Sequence, residues 1–250
     1  MGYVIAVAGK GGTGKTTISA LLVRLLKEKK PGAILAVDAD PNSNLAEALG
    51  LEVKETIGQI LDGIAAHPDK VPAGMTKDRF IEYKVQTAVQ EAEGFDVLTM
   101  GRPEGPGCYC YVNNVLRNAM ATLIKDYAYV IIDNEAGLEH LSRRTSRSAD
   151  VLLVVSDATS PGLRAAKRIG ELVRELKIQT KKNLLLVNRS DEPLAKERLN
   201  GMQLTYLGFL PHDEQITKIS MKNNALSELA KDAASLTALG ILGDKIWQSN

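Results

Sequence analysis

The stretch YVIAVAGKGGTGKTTISALLVRLLKEKK, residues 3–30, governs how the rest of the chain is read. An apolar run over 3–9 meets a glycine-rich turn. After it, Ile18, Leu21, Leu22, Leu25 and Leu26 recur at i, i+3, i+4, i+7 and i+8. The first part reads as a strand covered on both faces, and the last as a helix over 15–30. Between them GKGGTGKT (9–16) matches G-x-x-x-x-G-K-[ST] in the strand–loop–helix setting that the pattern requires. Gly11, Gly12 and Gly14 permit positive φ and close backbone approach, so main-chain N–H groups can surround phosphate oxygens. Gly9, Thr13 and Thr17 complete the cradle, and the helix N-terminus adds partial positive charge. Lys15 is placed to neutralise β- and γ-phosphate oxygens, and Thr16 to hold Mg²⁺.

Outward from this loop, short apolar runs alternate with helical patterns. Strands are expected at 3–9, 33–38, 95–101, 129–133, 150–155, 183–188 and 206–211, and further helices at 112–126, 162–177 and 226–247. Such alternation implies an α/β fold, a doubly wound, mostly parallel sheet with helices on both faces. No linker or composition break divides the chain, so 1–250 is expected to be one P-loop ATPase domain, with helices inserted across 52–93.

The net charge is +1 and aromatics are 4% of residues. Neither a field of one sign nor a stacking surface recruits nucleic acid. No apolar run reaches about 18 residues, and no charged leader precedes the first strand, so neither a membrane partner nor export is expected. A cytoplasmic location follows.

Acidic residues end two of the strands. VDADPN places Asp38 and Asp40 after the second strand, and VIIDNEAG places Asp133 after another. Carboxylates at the carboxyl ends of strands in an open sheet lie beside the ligand crevice. With its extra Lys10, the loop resembles the deviant K-G-G-x-G-K-T loop of the MinD/ParA/nitrogenase-iron-protein family of ATPases. That resemblance implies that Lys10 crosses a homodimer interface to the partner's nucleotide, as an arginine finger would. It further implies that Asp40 positions the attacking water, that Asp38 sits near Mg²⁺, that Asp133 is the Walker-B carboxylate, and that Gly137 is the switch II glycine. VNRSD, with Asn188 and Arg189, resembles the family's adenine loop. Pro211, His212 and Asp213 form a second candidate for the base edge.

The only cysteines of the chain, Cys108 and Cys110, stand in GRPEGPGCYC before a helical stripe. In an extended segment, residues i and i+2 face one way, so both sulfurs can meet one metal. Two thiolates make half of a tetrahedral site, and a twofold dimer supplies the other half. Soft thiolates accept Ni²⁺, Zn²⁺ or Cu⁺, so the motif alone does not name the metal. GRPEGPGCYC and DNEAGLEHLSRR (133–144), taken with the deviant loop, resemble the CooC/AcsF group of ATPases. The resemblance implies nickel delivery to carbon monoxide dehydrogenase or acetyl-CoA synthase as client, with ATP and metal both favouring the dimer. An electron carrier like nitrogenase iron protein is the alternative, although that family draws its cysteines from separate segments.

Overall fold

The structure, a computed structural model, describes residues 2–67, 69, 71–101, 110–136, 148–222 and 224–247, with backbone alone for 110–114 and 148. Its strands are β1 (Tyr3–Gly9), β2 (Ile34–Ala39), β3 (Gln90–Ala92), β4 (Phe95–Thr99), β5 (Tyr129–Asn134), β6 (Ser148–Ser156), β7 (Gln179–Val187) and β8 (Thr205–Phe209). They form one eight-stranded sheet in the order β3-β4-β2-β5-β1-β6-β7-β8. Among the described residues, every pairing is parallel except β3 with β4. The expected doubly wound α/β fold is the fold observed.

The helices are α1 (Lys15–Lys29), α2 (Asn44–Ala48), α3 (Ile57–Ala66), α4 (Lys77–Thr87), α5 (Cys110–Leu123), α6 (Ser160–Glu175), α7 (Glu214–Met221) and α8 (Ala234–Trp247). Although the strands read as continuously apolar, their side chains still alternate between two cores. Val4, Ala6 and Ala8 join α3, α4, α5 and α6 on one face. Ile5 and Val7 join α1, α2 and α8 on the other. Covering both faces is what makes the runs continuous.

Three expectations needed revision. The inserted segment holds α3 and α4, but it ends in β3, which returns antiparallel beside β4 through Glu93 and Gly94 at φ 83°. A three-residue strand of sequence QEA carries no periodic signal. Helix α7 was not expected; Asp213 starts it by accepting from the Gln215 N–H at 3.0 Å. The helix expected over 226–247 is divided, with a short 3-10 turn at Leu226–Glu228 and α8 starting at Ala234. The reason is a long-range cap: Asp213 Oδ2 accepts from the Ser235 N–H at 2.9 Å, which fixes where α8 begins.

Because β1, β2 and β5 are adjacent and parallel, their carboxyl ends gather at one edge. The phosphate loop, Asp38 and Asp133 meet there. Helix α5 runs back against the strands, so Cys110, its first residue, starts from the same edge.

Candidate functional site

The loop from Gly9 to Thr16 is shaped by backbone angles only glycine adopts readily. Gly12 has φ 80° and Gly14 φ 92°. Gly14 caps α1 in the left-handed region, and the Ile18 N–H returns to its carbonyl at 2.9 Å. A Cβ on Gly9 would lie 2.2 Å from the Val155 carbonyl oxygen of neighbouring β6. The Lys10 carbonyl accepts from Thr13 Oγ1 at 2.8 Å and from Lys15 Nζ at 3.4 Å. The Lys15 ammonium is thus folded back into the loop and buried, whereas the Lys10 side chain is exposed. With main-chain N–H groups and an ammonium at a helix start, the loop can hold an anion such as phosphate.

Asp38 and Asp133 are register partners on β2 and β5, and both are fully buried. Asp133 accepts from Thr16 Oγ1 at 2.7 Å and from Ser19 Oγ at 3.1 Å. Burial pushes its carboxyl up to about 6, while those two hydroxyls and the Lys15 charge pull against the rise. Asp38 accepts from the Leu45 N–H at 2.7 Å and the Asp40 N–H at 3.1 Å. Burial, with the Asp133 and Asp40 charges, pushes its carboxyl up to about 7. Two buried carboxylates that resist ionisation, beside a hydroxyl, form an oxygen donor set that a hard divalent cation would satisfy. Thr16, Asp38 and Asp133 are therefore the residues that fit Mg²⁺. Asp40 sits at the rim, where its Oδ1 accepts from the N–H and Nδ2 of Asn42, each at 2.9 Å.

Beyond the loop lies a cleft of about 480 Å³. It brings together Thr17, Asn188, Arg189, Pro211, His212 and Asp213, which lie far apart in sequence. Asn188 Nδ2 donates to the Thr13 carbonyl at 2.9 Å, and Arg189 Nη1 reaches the Gly12 carbonyl at 3.3 Å. The VNRSD segment thus braces the phosphate loop while it lines the cleft. Asp213 has both carboxylate oxygens engaged by main-chain N–H groups, those of Gln215 and Ser235.

Some site residues escaped the sequence reading. Ser19 was legible in hindsight, since it follows Thr16 by three residues on the same helix face. The cleft wall formed by α7 was not, because only the fold carries α7 to the start of α1. Cys108 and Gly137 lie outside the described residues, and Cys110 is described by its backbone alone. Among the described residues, no group of three or more His, Cys, Asp or Glu side chains could hold a metal, and no helix is long and apolar enough to cross a membrane.

Comparison with known proteins bears on the same region. Residues 4–226 match the family described as the CobQ/CobB/MinD/ParA nucleotide binding domain. An ATP-binding protein of Methanocaldococcus jannaschii, itself uncharacterised, is 42% identical over 248 residues, covering 97% of this chain and 98% of its own. The carbon monoxide dehydrogenase accessory protein CooC of Rhodospirillum rubrum is 32% identical over 226 residues, covering 85% of this chain and 84% of its own. Among solved structures, the septum site-determining protein MinD of Pyrococcus horikoshii, complexed with Mg-ADP, superposes with a TM-score of 0.74. It covers 99% of this chain and 97% of its own at 21% identity, a likeness of fold.

Proposed function

The chain belongs to the CobQ/CobB/MinD/ParA nucleotide-binding family and is an ATP-binding P-loop ATPase, and on that premise we propose that it is an ATP-driven nickel carrier. In this reading the chain, 1–250, acts as one cytoplasmic unit that dimerises on ATP or metal. Two copies of Cys108 and Cys110 take Ni²⁺ as cargo, Zn²⁺ being able to occupy the same thiolates. The client is carbon monoxide dehydrogenase or acetyl-CoA synthase. One observation carries the reading: a Cys-x-Cys pair, the only cysteines of the chain, in a sequence 32% identical to a carbon monoxide dehydrogenase accessory protein. The placement of Cys110 at the start of α5, on the sheet edge that bears the phosphate loop, supports coupling between cargo and nucleotide.

The same reading gives each residue a role. Residues Gly9 to Thr17 wrap the phosphates, and Lys15 swings from the Lys10 carbonyl onto their oxygens. Mg²⁺, held through Thr16, Asp38 and Asp133, would offset phosphate charge. Asp40 orients the water whose oxygen bonds to the γ-phosphorus as the bond to the β–γ bridging oxygen breaks. Lys10 offsets the charge from the partner subunit, and Gly137 senses the γ-phosphate. Asn188, Arg189, Pro211, His212 and Asp213 frame the base.

The deciding experiment is nickel binding by chelator competition, in the Asp40→Asn variant, with ATP, ADP or no nucleotide. One Ni²⁺ per two chains is expected, lost in Cys108→Ser and in Cys110→Ser. ATP should tighten it by roughly 5–150-fold, the usual range of linkage between two sites. Equal affinity in all three states, or one ion per chain with no change in mass, would refute the carrier cycle.

A further inference from the structure

The last two residues of β5 face opposite sides of the sheet. Asp133 points to α1, where Thr16 and Ser19 donate to it. Asn134 extends the stripe of Val130 and Ile132, whose side chains join the core under α3 to α6. A carboxamide thus stands where the period calls for an apolar residue, and it is 1% exposed. Its register partner on β2 is Ala39, and Ala8 of β1 follows Val7, the partner of Asp133; both alanines are fully buried. Alanines on both sides leave the carboxamide room to lie against the sheet.

The donors of Asn134 fix its orientation. Nδ2 donates to the Val7 carbonyl of β1 at 2.9 Å and to the Ile132 carbonyl at 3.3 Å. A turned amide would set an oxygen against two carbonyl oxygens, so Oδ1 points the other way. There it meets no donor: among the described residues, it is the one buried side-chain oxygen or nitrogen without a hydrogen-bond partner. Burying an acceptor unpaired forfeits its bonds to water with nothing in return. Leucine would fill the site without that cost. Yet Val7 lies two residues before Gly9, where the phosphate loop begins, and Asp133 is bonded to Thr16 of α1. The two residues that end β5 therefore hold the loop from both sides. Asn134 does so through the strand that enters the loop, and Asp133 through the helix that leaves it.

Local rules are broken in native proteins chiefly at functional sites, where the cost is recovered in the working state. A cation held by Thr16 and Asp133 acts on the strand end that carries Asn134, one peptide away. We propose that Asn134 is a positioning residue of the ATPase, tying β5 to the phosphate loop through its amide, and that its Oδ1 gains a hydrogen-bond donor when Mg²⁺ and ATP fill the site. Relief of this oxygen is then part of the free energy of nucleotide binding. Because Oδ1 is closed to solvent, its donor comes from the protein as the carboxyl edge of the sheet rearranges. The proposal rests on the reading that nucleotide phosphates occupy the loop.

Nuclear magnetic resonance reads Oδ1 directly. In protein carrying ¹³C at the asparagine side-chain carbonyls, the Asn134 resonance is the one missing from Asn134→Ala. It should move downfield, the direction of hydrogen-bond acceptance, when wild type binds Mg²⁺ with AMPPNP, an ATP analogue with an imido bridge. A resonance that stays in place overturns the proposal. A second arm compares wild type with Asn134→Leu, by calorimetry for Mg-AMPPNP affinity and by urea unfolding for the nucleotide-free protein. Affinity should fall about tenfold. The urea midpoint should not fall, because the variant no longer buries an unpaired oxygen. Unchanged affinity, or affinity and midpoint falling together as loss of a purely structural contact would make them, overturns the proposal and leaves the ATP reading intact. Wild type that binds no Mg-AMPPNP would overturn both.

Discussion

Moderate acidification should stabilise the nucleotide-free protein, against the usual trend for folds whose carboxylates are paired. Asp38 is raised to about 7 and Asp133 to about 6, each chiefly by burial. Both values lie above the ordinary carboxylate value, so at intermediate pH the native chain holds protons that the unfolded chain has released. Their contribution is fully present below about pH 4 and is lost as pH rises through 6 and 7. Between about pH 8 and about pH 5.5, linkage gives Asp38 about 2 kcal/mol and Asp133 about 1 kcal/mol of added stability. Other titrating groups contribute to the same curve, so the reference is Asp38→Asn. In that variant the larger share disappears, and the gain on acidification should shrink by about 2 kcal/mol. Urea unfolding of both proteins at the two pH values, without Mg²⁺ or nucleotide, measures the difference. Mg-ADP should stabilise wild type more at the higher pH, where the cation meets two carboxylates already ionised. A wild-type gain no larger than that of Asp38→Asn would refute the argument that these buried carboxyls wait for a cation.

Two further outcomes follow from individual contacts. Gly14→Ala forces a side chain into φ 92° and brings a Cβ to 2.4 Å from Asn188 Nδ2. Left-handed strain of at least ~1 kcal/mol adds to loss of the Asn188–Thr13 bond, so ATP affinity measured by calorimetry should fall more than about tenfold. Arg24→Ala strands the Leu226 and Leu229 carbonyls that anchor the chain after α7. Urea unfolding should show a loss of about 1–3 kcal/mol, with tripolyphosphate binding retained; an unchanged midpoint would mean that water replaces the arginine.

By itself the sequence determined the first half of the site. The phosphate loop is local: a strand, three glycines and a helix start follow one another, so the residues that shape the loop are the residues that define the motif. Asp38 and Asp133 were legible for a related reason, since each ends an apolar run and parallel strands deliver their ends to a common edge. The two sheet faces were legible only as continuous apolar runs; which side chain belongs to which core emerged once α1, α2 and α8 lay on one face and α3 to α6 on the other. Tertiary structure alone decided the other half. Asp213 caps α7 beside it and α8 across 22 residues, and no local pattern encodes a cap whose donor arrives from elsewhere in the chain. The cleft walls likewise come from α1 and α7, about 200 residues apart in sequence and adjacent in space. Short-range periodicity records which face of a segment is buried; it does not record what that face is buried against.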